Sequence, residues 1–125
     1  MIQASHDLEN LDEEDSALVR EAESVRSQLA ETRLGADGRV LEWNDEFIES
    51  DSQHRHLSHL YELHPGAGIT SKTPRLEEAA RKSLEVRGDD GSGWSIVWRM
   101  IMWARLRDAE PVSYTHLRAH ETPEH

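Results

Sequence analysis

The sequence predicts an all-α fold on three observations. Apolar residues recur at helical spacing in three segments, residues 12 to 30, 73 to 86 and 94 to 107. Glycine and proline gather between those segments, at 35 to 38, 65 to 68 and 88 to 93, where they end helices and form turns. The last segment is apolar on nearly every side, which demands protein around it rather than water.

In the first segment Leu18, Ala22, Val25 and Leu29 make one narrow stripe, expected to be buried, while Asp12, Glu13, Glu14 and Asp15 set carboxylates against the positive helix start. That acidic run reads as a solvated first turn rather than a metal or partner site. The stretch Leu34 to Arg39, with two glycines, closes the helix in a turn. Val40-Leu41-Glu42-Trp43 follows as a short extended or helical piece, and Asp45, Glu46, Glu49 and Asp51 then pile up carboxylates.

Thr73-Pro74 opens the second helix with a hydroxyl cap and a proline in the first turn, where its missing N–H costs nothing. Leu76, Ala79, Ala80 and Leu84 form a packing face that runs to about Val86, so this helix reads as purely structural. Arg87 to Ser95 is a glycine-rich turn into the third helix. It is no phosphate cradle, because the P-loop lysine is missing and no predicted strand precedes it. With Trp94 at its end, it reads as a tight connection that also reaches a pocket rim. At about 100° per residue, Trp94, Val97, Trp98 and Ile101 share one side of the third helix and Trp103 lies opposite. Two other long helices are too few to cover it, so the sequence expects neighbours beyond these 125 residues.

Composition narrows the function classes. Fourteen Lys and Arg against 25 Asp and Glu give a net charge of −11, which repels a nucleic-acid backbone or an anionic bilayer. Neither partner is expected. The absence of cysteine excludes a disulfide framework, a thiolate nucleophile and a cysteine zinc site, without fixing the compartment. The run Ile96 to Leu106 is broken by Arg99 and Arg105 and falls short of the roughly 20 residues of a membrane span. Met1 to Asp7 has neither a basic start nor an apolar core and does not read as a signal peptide, which says nothing of a longer parent.

The most chemically loaded stretch is His54 to Pro65, with four imidazoles, a guanidinium and a phenol in twelve residues. Such side chains suit the recognition of hydroxyls or of an anion, through neutral imidazole and the fixed donor fork of arginine. Three readings compete: a sugar pocket, satisfied structural histidines, and a metal site. The last is weakest, since no i, i+4 histidine pair has a glutamate between its members in the manner of a zincin helix. Glu42 is either a surface carboxylate beside a half-buried Trp43 or a pocket residue, with Trp43 as a wall against the C–H face of a sugar ring.

Taken together, Glu42-Trp43, then His54-Arg55-His56-Leu57-Ser58-His59-Leu60-Tyr61 running into His64-Pro65-Gly66, then Arg87-Gly88-Asp89-Asp90-Gly91-Ser92-Gly93-Trp94-Ser95, resemble the catalytic domain of family 95 glycoside hydrolases, the inverting α-L-fucosidases. The match runs from about Gly35 to about Leu106 and covers a slice of a much longer enzyme. The resemblance implies that the chain is a fragment of an (α/α)6 toroid, that it needs no cofactor or metal, and that its partners are a fucosylated glycan and the missing remainder of its own catalytic domain. It further implies that Arg55 and His56 contact the sugar, with Glu42, Trp43 and Trp94 lining the pocket and His54, His59 and His64 bonding backbone groups. The family's general acid lies upstream and its base region downstream, so no catalytic residue is expected here and the fragment alone should be inactive. Its parent would be secreted or periplasmic. Glu46 stands where the family commonly has Asp, and Asn44 replaces a usual apolar residue; these departures leave the exact sugar open.

Residues 1 to 110 thus read as a partial glycosidase catalytic domain. Residues 111 to 125 read differently: Val112-Ser113-Tyr114-Thr115-His116-Leu117-Arg118-Ala119-His120-Glu121-Thr122 resembles the translated read-through of a sequencing-library adapter, so this tail is set aside as non-native. The alternative for the whole chain is a small acidic helical binding protein whose histidines form a metal- or pH-responsive surface.

Overall fold

The structure, a computed structural model, describes residues 10 to 107. The tail set aside above lies outside the described residues. Among the described residues three α-helices carry the fold, α1 (Glu13–Ser27), α2 (Pro74–Arg87) and α3 (Gly93–Arg105), with one short 3-10 turn at Ser58–Leu60. No strand is formed among the described residues, only an isolated antiparallel bridge between Leu34 and Val40. The all-α expectation is met. Two compact units result, one ending at Glu31 and the other starting at Thr32.

In the first unit, the Asp12 side chain caps α1 by accepting from the Asp15 N–H at 2.8 Å, and Glu13, Glu14 and Asp15 fill the first turn. The helix ends early, at Ser27, where Ser27 Oγ and Gln28 Nε2 both donate to the Ser24 carbonyl. The expected buried stripe is not buried: no α1 residue is, and Leu18, Val25 and Leu29 are exposed. Four apolar side chains, one of them alanine, offer too little area to compel coverage.

The second unit holds the core. Gly35 N–H donates to the Arg39 carbonyl at 2.9 Å, and Gly38, at φ 81°, takes the left-handed conformation this turn needs. The Val40 N–H then donates to Ser83 Oγ, which itself donates to the Ala79 carbonyl, both at 3.0 Å, so a buried hydroxyl ties the turn to α2. Leu57, Leu60 and Leu63 are fully buried and lie three residues apart, the period at which a 3-10 turn stacks side chains. That spacing drives the leucines inward and leaves His54, Arg55, His56, Ser58 and Tyr61 exposed.

On α2 the buried residues are Ala79, Ala80, Ser83, Leu84 and Arg87, the expected face continued one turn further. The Thr73 hydroxyl does not cap this helix. It accepts from the Thr70 N–H at 2.9 Å and donates to the Thr70 carbonyl at 3.0 Å, closing the preceding turn. Gly88, at φ 68°, ends α2. Five residues later α3 begins and returns antiparallel: Arg107, just past α3, pairs with Glu77 in the first turn of α2, and Arg81 donates to the Leu106 carbonyl and lies 5.8 Å over the Trp103 ring. Met102, Trp103 and Leu106 complete the core with Leu57, Leu60, Leu63, Ile69 and Leu84.

Trp103 lies opposite Trp94 on α3 as expected, but Trp98, placed by the sequence on the side of Trp94, is partly buried against the core. Ser95, Ile96, Arg99, Met102 and Trp103 are buried, whereas Trp94 is 51% and Val97 49% exposed, with Ile101 beside them in water. Among the described residues, no helix is long and apolar enough to cross a membrane.

Candidate functional site

Arg87 is the residue around which the polar side of this unit is built. The spacing Ala80, Leu84, Arg87 continues the packing stripe of α2, so a guanidinium is driven to 3% exposure at the margin of the core. A charge held there requires acceptors. It finds them on two chain segments: Nη2 donates to Glu42 Oε2 at 2.5 Å and Nη1 to the His54 carbonyl at 3.3 Å, with Glu49 Oε1 at 3.9 Å. Glu49 is bonded in turn by Arg39 at 3.1 Å, and Arg39 also holds Asp37. Bonds from the Arg39 backbone N–H and then its side chain hold the Asp37 carboxyl below the usual range.

His59 lies under this network, its Nδ1 4.0 Å from Glu42 Oε2. Burial pushes its pKa down to about 4; the Glu42 carboxylate pulls the other way and Arg87 offsets that pull. At neutral pH the imidazole is uncharged. The expectation that His54, His59 and His64 bond backbone groups is met by His54, whose Nδ1 accepts from the His56 N–H at 3.1 Å. His59 Nδ1 and His64 Nδ1 are buried with no hydrogen-bond partner among the described residues, because the leucine spacing turns those rings toward the interior.

The expected pocket residues fall into two groups. Glu42 and Trp43 sit on an open cleft of about 210 Å³ formed by residues 35 to 49, with Asp45, Glu46, Phe47 and Glu49 around them. His56 and Trp94 belong to an aromatic row: the His54 and His56 rings are 4.8 Å apart, His56 and Trp94 5.5 Å, and Trp94 and Trp98 6.1 Å. Trp98 is fixed by donating its indole N–H to the His64 carbonyl at 3.1 Å. Arg55 stands exposed next to the row. Of the two readings of Glu42, its bond to Arg87 favours a structural carboxylate, while its place on the cleft keeps a pocket role open; Trp43 is more exposed than expected of a half-buried ring, at 60%.

Sequence reasoning passed over Arg87 and Arg99. Each occupies a packing position of its helix, and a charged residue in such a register is a signal that could have been read. Arg99 is fully buried in α3 and donates to the Asp90 carbonyl, pinning the glycine-rich turn beneath Trp94. Its Nε and Nη2 and the nearby Ser95 Oγ have no hydrogen-bond partner among the described residues. Among those residues, no three His, Cys, Asp or Glu come together to hold a metal.

The second unit is thus a helical hairpin with an exposed row of imidazole and indole rings, and an acidic cleft on the loop of residues 35 to 49. The chain belongs to the glycosyl hydrolase family 95 catalytic domain family, whose profile matches residues 1–122. Those domains are (α/α)6 toroids, and the α2–α3 hairpin fits as a piece of one. It is 38% identical over 103 residues to "Alpha-L-fucosidase 2" of Arabidopsis thaliana, covering 82% of this chain and 12% of that protein. To "Probable alpha-fucosidase A" of Aspergillus oryzae it is 30% identical over 115 residues, 82% of this chain and 16% of the relative. A protein of the same name from Aspergillus niger is 35% identical over 80 residues, 58% of this chain and 10% of the relative. The chain thus spans about a tenth to a sixth of the length of these relatives.

Proposed function

We propose that this chain is a fragment of the catalytic domain of an inverting α-L-fucosidase, supplying pocket residues to an active site whose acid and base lie in the remainder. The observation that carries the reading is the 38% identity to a protein named as an α-L-fucosidase, over the stretch that contains both the histidine row and the cleft. The geometry supports it. Exposed imidazole, guanidinium and indole faces offer the polar groups and C–H-facing surfaces that a deoxysugar requires.

In this reading Arg55 and His56 contact the sugar, Trp94 and Trp43 provide walls, and Glu42 lines the rim. Hydrolysis with inversion needs a protonated carboxyl beside the leaving oxygen and a carboxylate-activated water across the ring. No residue of this chain is assigned to either step, so the chain alone is inactive. Residues 111 to 125 are read as the adapter-derived tail. The family match through residue 122 is the observation on the other side, and the coding DNA at this junction decides: native codons running on through the tail overturn the adapter origin.

The test uses the full-length protein that carries this segment. Hydrolysis of an aryl α-L-fucoside, followed by NMR at early times, should release β-L-fucose first; α-L-fucose first contradicts inversion. Arg55→Ala and His56→Ala should each weaken fucose binding by about tenfold or more, as expected for a charged or imidazole hydrogen bond lost from a pocket. Wild-type kinetics in both would remove them from the site. The metal- or pH-responsive binding protein has no comparable support, since the family profile that matches residues 1–122 is that of a glycosyl hydrolase catalytic domain.

A further inference from the structure

We propose that Arg87 is the positioning residue that keeps the two halves of the sugar pocket in register, acting through Glu42 and the His54 carbonyl rather than by touching substrate. The inference rests on the glycosidase reading above and adds to it a residue whose helix the sequence presents as purely structural.

The groups assigned to recognition stand on irregular backbone. Trp43 is exposed on the loop of residues 35 to 49, and Arg55 and His56 are exposed in front of the short 3-10 turn. Their orientation depends on what fixes those segments, and Arg87 binds both. One nitrogen of its fork holds the carboxylate next to Trp43, and the other holds the His54 carbonyl. From there the geometry is handed on: the His54 ring accepts the His56 N–H, and the His56 ring meets Trp94 edge to face. The guanidinium sits on the last turn of α2, whose inner face is packed into the core by Ala80 and Leu84, so the fork is anchored to a core-packed helix.

The chemistry selects arginine. Two donors at a fixed angle, reaching acceptors on two segments from a buried site, cannot be replaced by the single ammonium of lysine. A lysine at this position keeps the charge but lacks the fork that ties the two acceptors to each other, so the Glu42 side and the His54 side loosen together. Burial also shelters the bonds from salt, so their geometry is maintained at physiological ionic strength.

The experiment compares wild type, Arg87→Lys and Arg87→Ala in the full-length protein that carries this segment, with an aryl α-L-fucoside and by hydrogen–deuterium exchange. Arg87→Lys should keep the circular dichroism of the wild type yet lose on the order of 10²-fold in kcat/KM, mostly through KM, the scale of a misplacement of about 1 Å. Exchange should rise together in residues 42 to 49 and 54 to 60 while residues 76 to 84 stay protected. Added guanidinium ion should partly restore Arg87→Ala and not Arg87→Lys. Unchanged kcat/KM in Arg87→Lys, or exchange that rises in one segment alone, overturns the proposal. A wild type that does not cleave the fucoside, with exchange still rising jointly in both segments on substitution, overturns the glycosidase reading and supports the register role of Arg87.

Discussion

The two sides of α3 carry similar apolar residues and meet opposite fates. On the inner side Met102 and Trp103 are buried in one cluster with α2 residues and the leucines of the histidine stretch, and Ile96 is buried as well; on the outer side Trp94, Val97 and Ile101 remain open. The difference lies not in the residues but in how much partner surface each side finds. A helix hairpin covers one face of each member, and a third layer is needed for the other. The chain therefore has a completed interior and an apolar outer face, as a hairpin cut from a ring of paired helices would.

Substitutions on the two faces break the comparison if it is wrong. Trp103→Ala should cost about 3 to 5 kcal/mol in urea unfolding, because it empties the centre of the inner face and removes the ring beneath Arg81. Next comes protonation of His59. Its native pKa of about 4 lies below the ordinary 6.5, so the unfolded chain binds the proton more tightly. Stability is then fully present above about pH 6.5 and falls as pH drops toward 4. His59→Gln should flatten that slope in melting curves taken across the range.

Trp94→Ala should cost about 1 kcal/mol in stability, the value of its edge-to-face contact with His56, while weakening fucose binding in the full-length protein by a larger factor. The smallest effect is expected at Val97→Ser, within about 0.5 kcal/mol in this chain, because water already wets the site. In the full-length protein the same change should cost several times more.

Much of α2 and α3 could be read from the sequence. Periodicity gave their spans to within one or two residues and placed Trp103 opposite Trp94, because helical geometry alone fixes which residues share a face. Burial was harder to foresee. The α1 stripe has the right spacing, yet spacing says only where a partner would bind, and Leu18 and Val25 stay exposed. The Thr73 hydroxyl had two nearby backbone partners to choose from, and the preceding turn won. At the candidate site the histidines mark the stretch, but the leucines between them determine which rings face outward. The role of Arg87 depends on a fold that brings residues 42, 54 and 87 together, and no local pattern reports contacts over 33 and 45 positions.

In the full-length enzyme proposed above, further helices cover Val97 and Ile101 on the outer face of α3, while Trp94 stays open to the pocket. The chain has no cysteine, so a single introduced thiol reports its own surroundings. The rate of thiol modification at Val97→Cys should be fast in the 125-residue chain and at least about tenfold slower in the full-length protein, with Met102→Cys protected in both as the control for an intact inner face. Equally fast modification at position 97 in both would contradict the account, leaving α3 with an outer face that nothing was ever meant to cover.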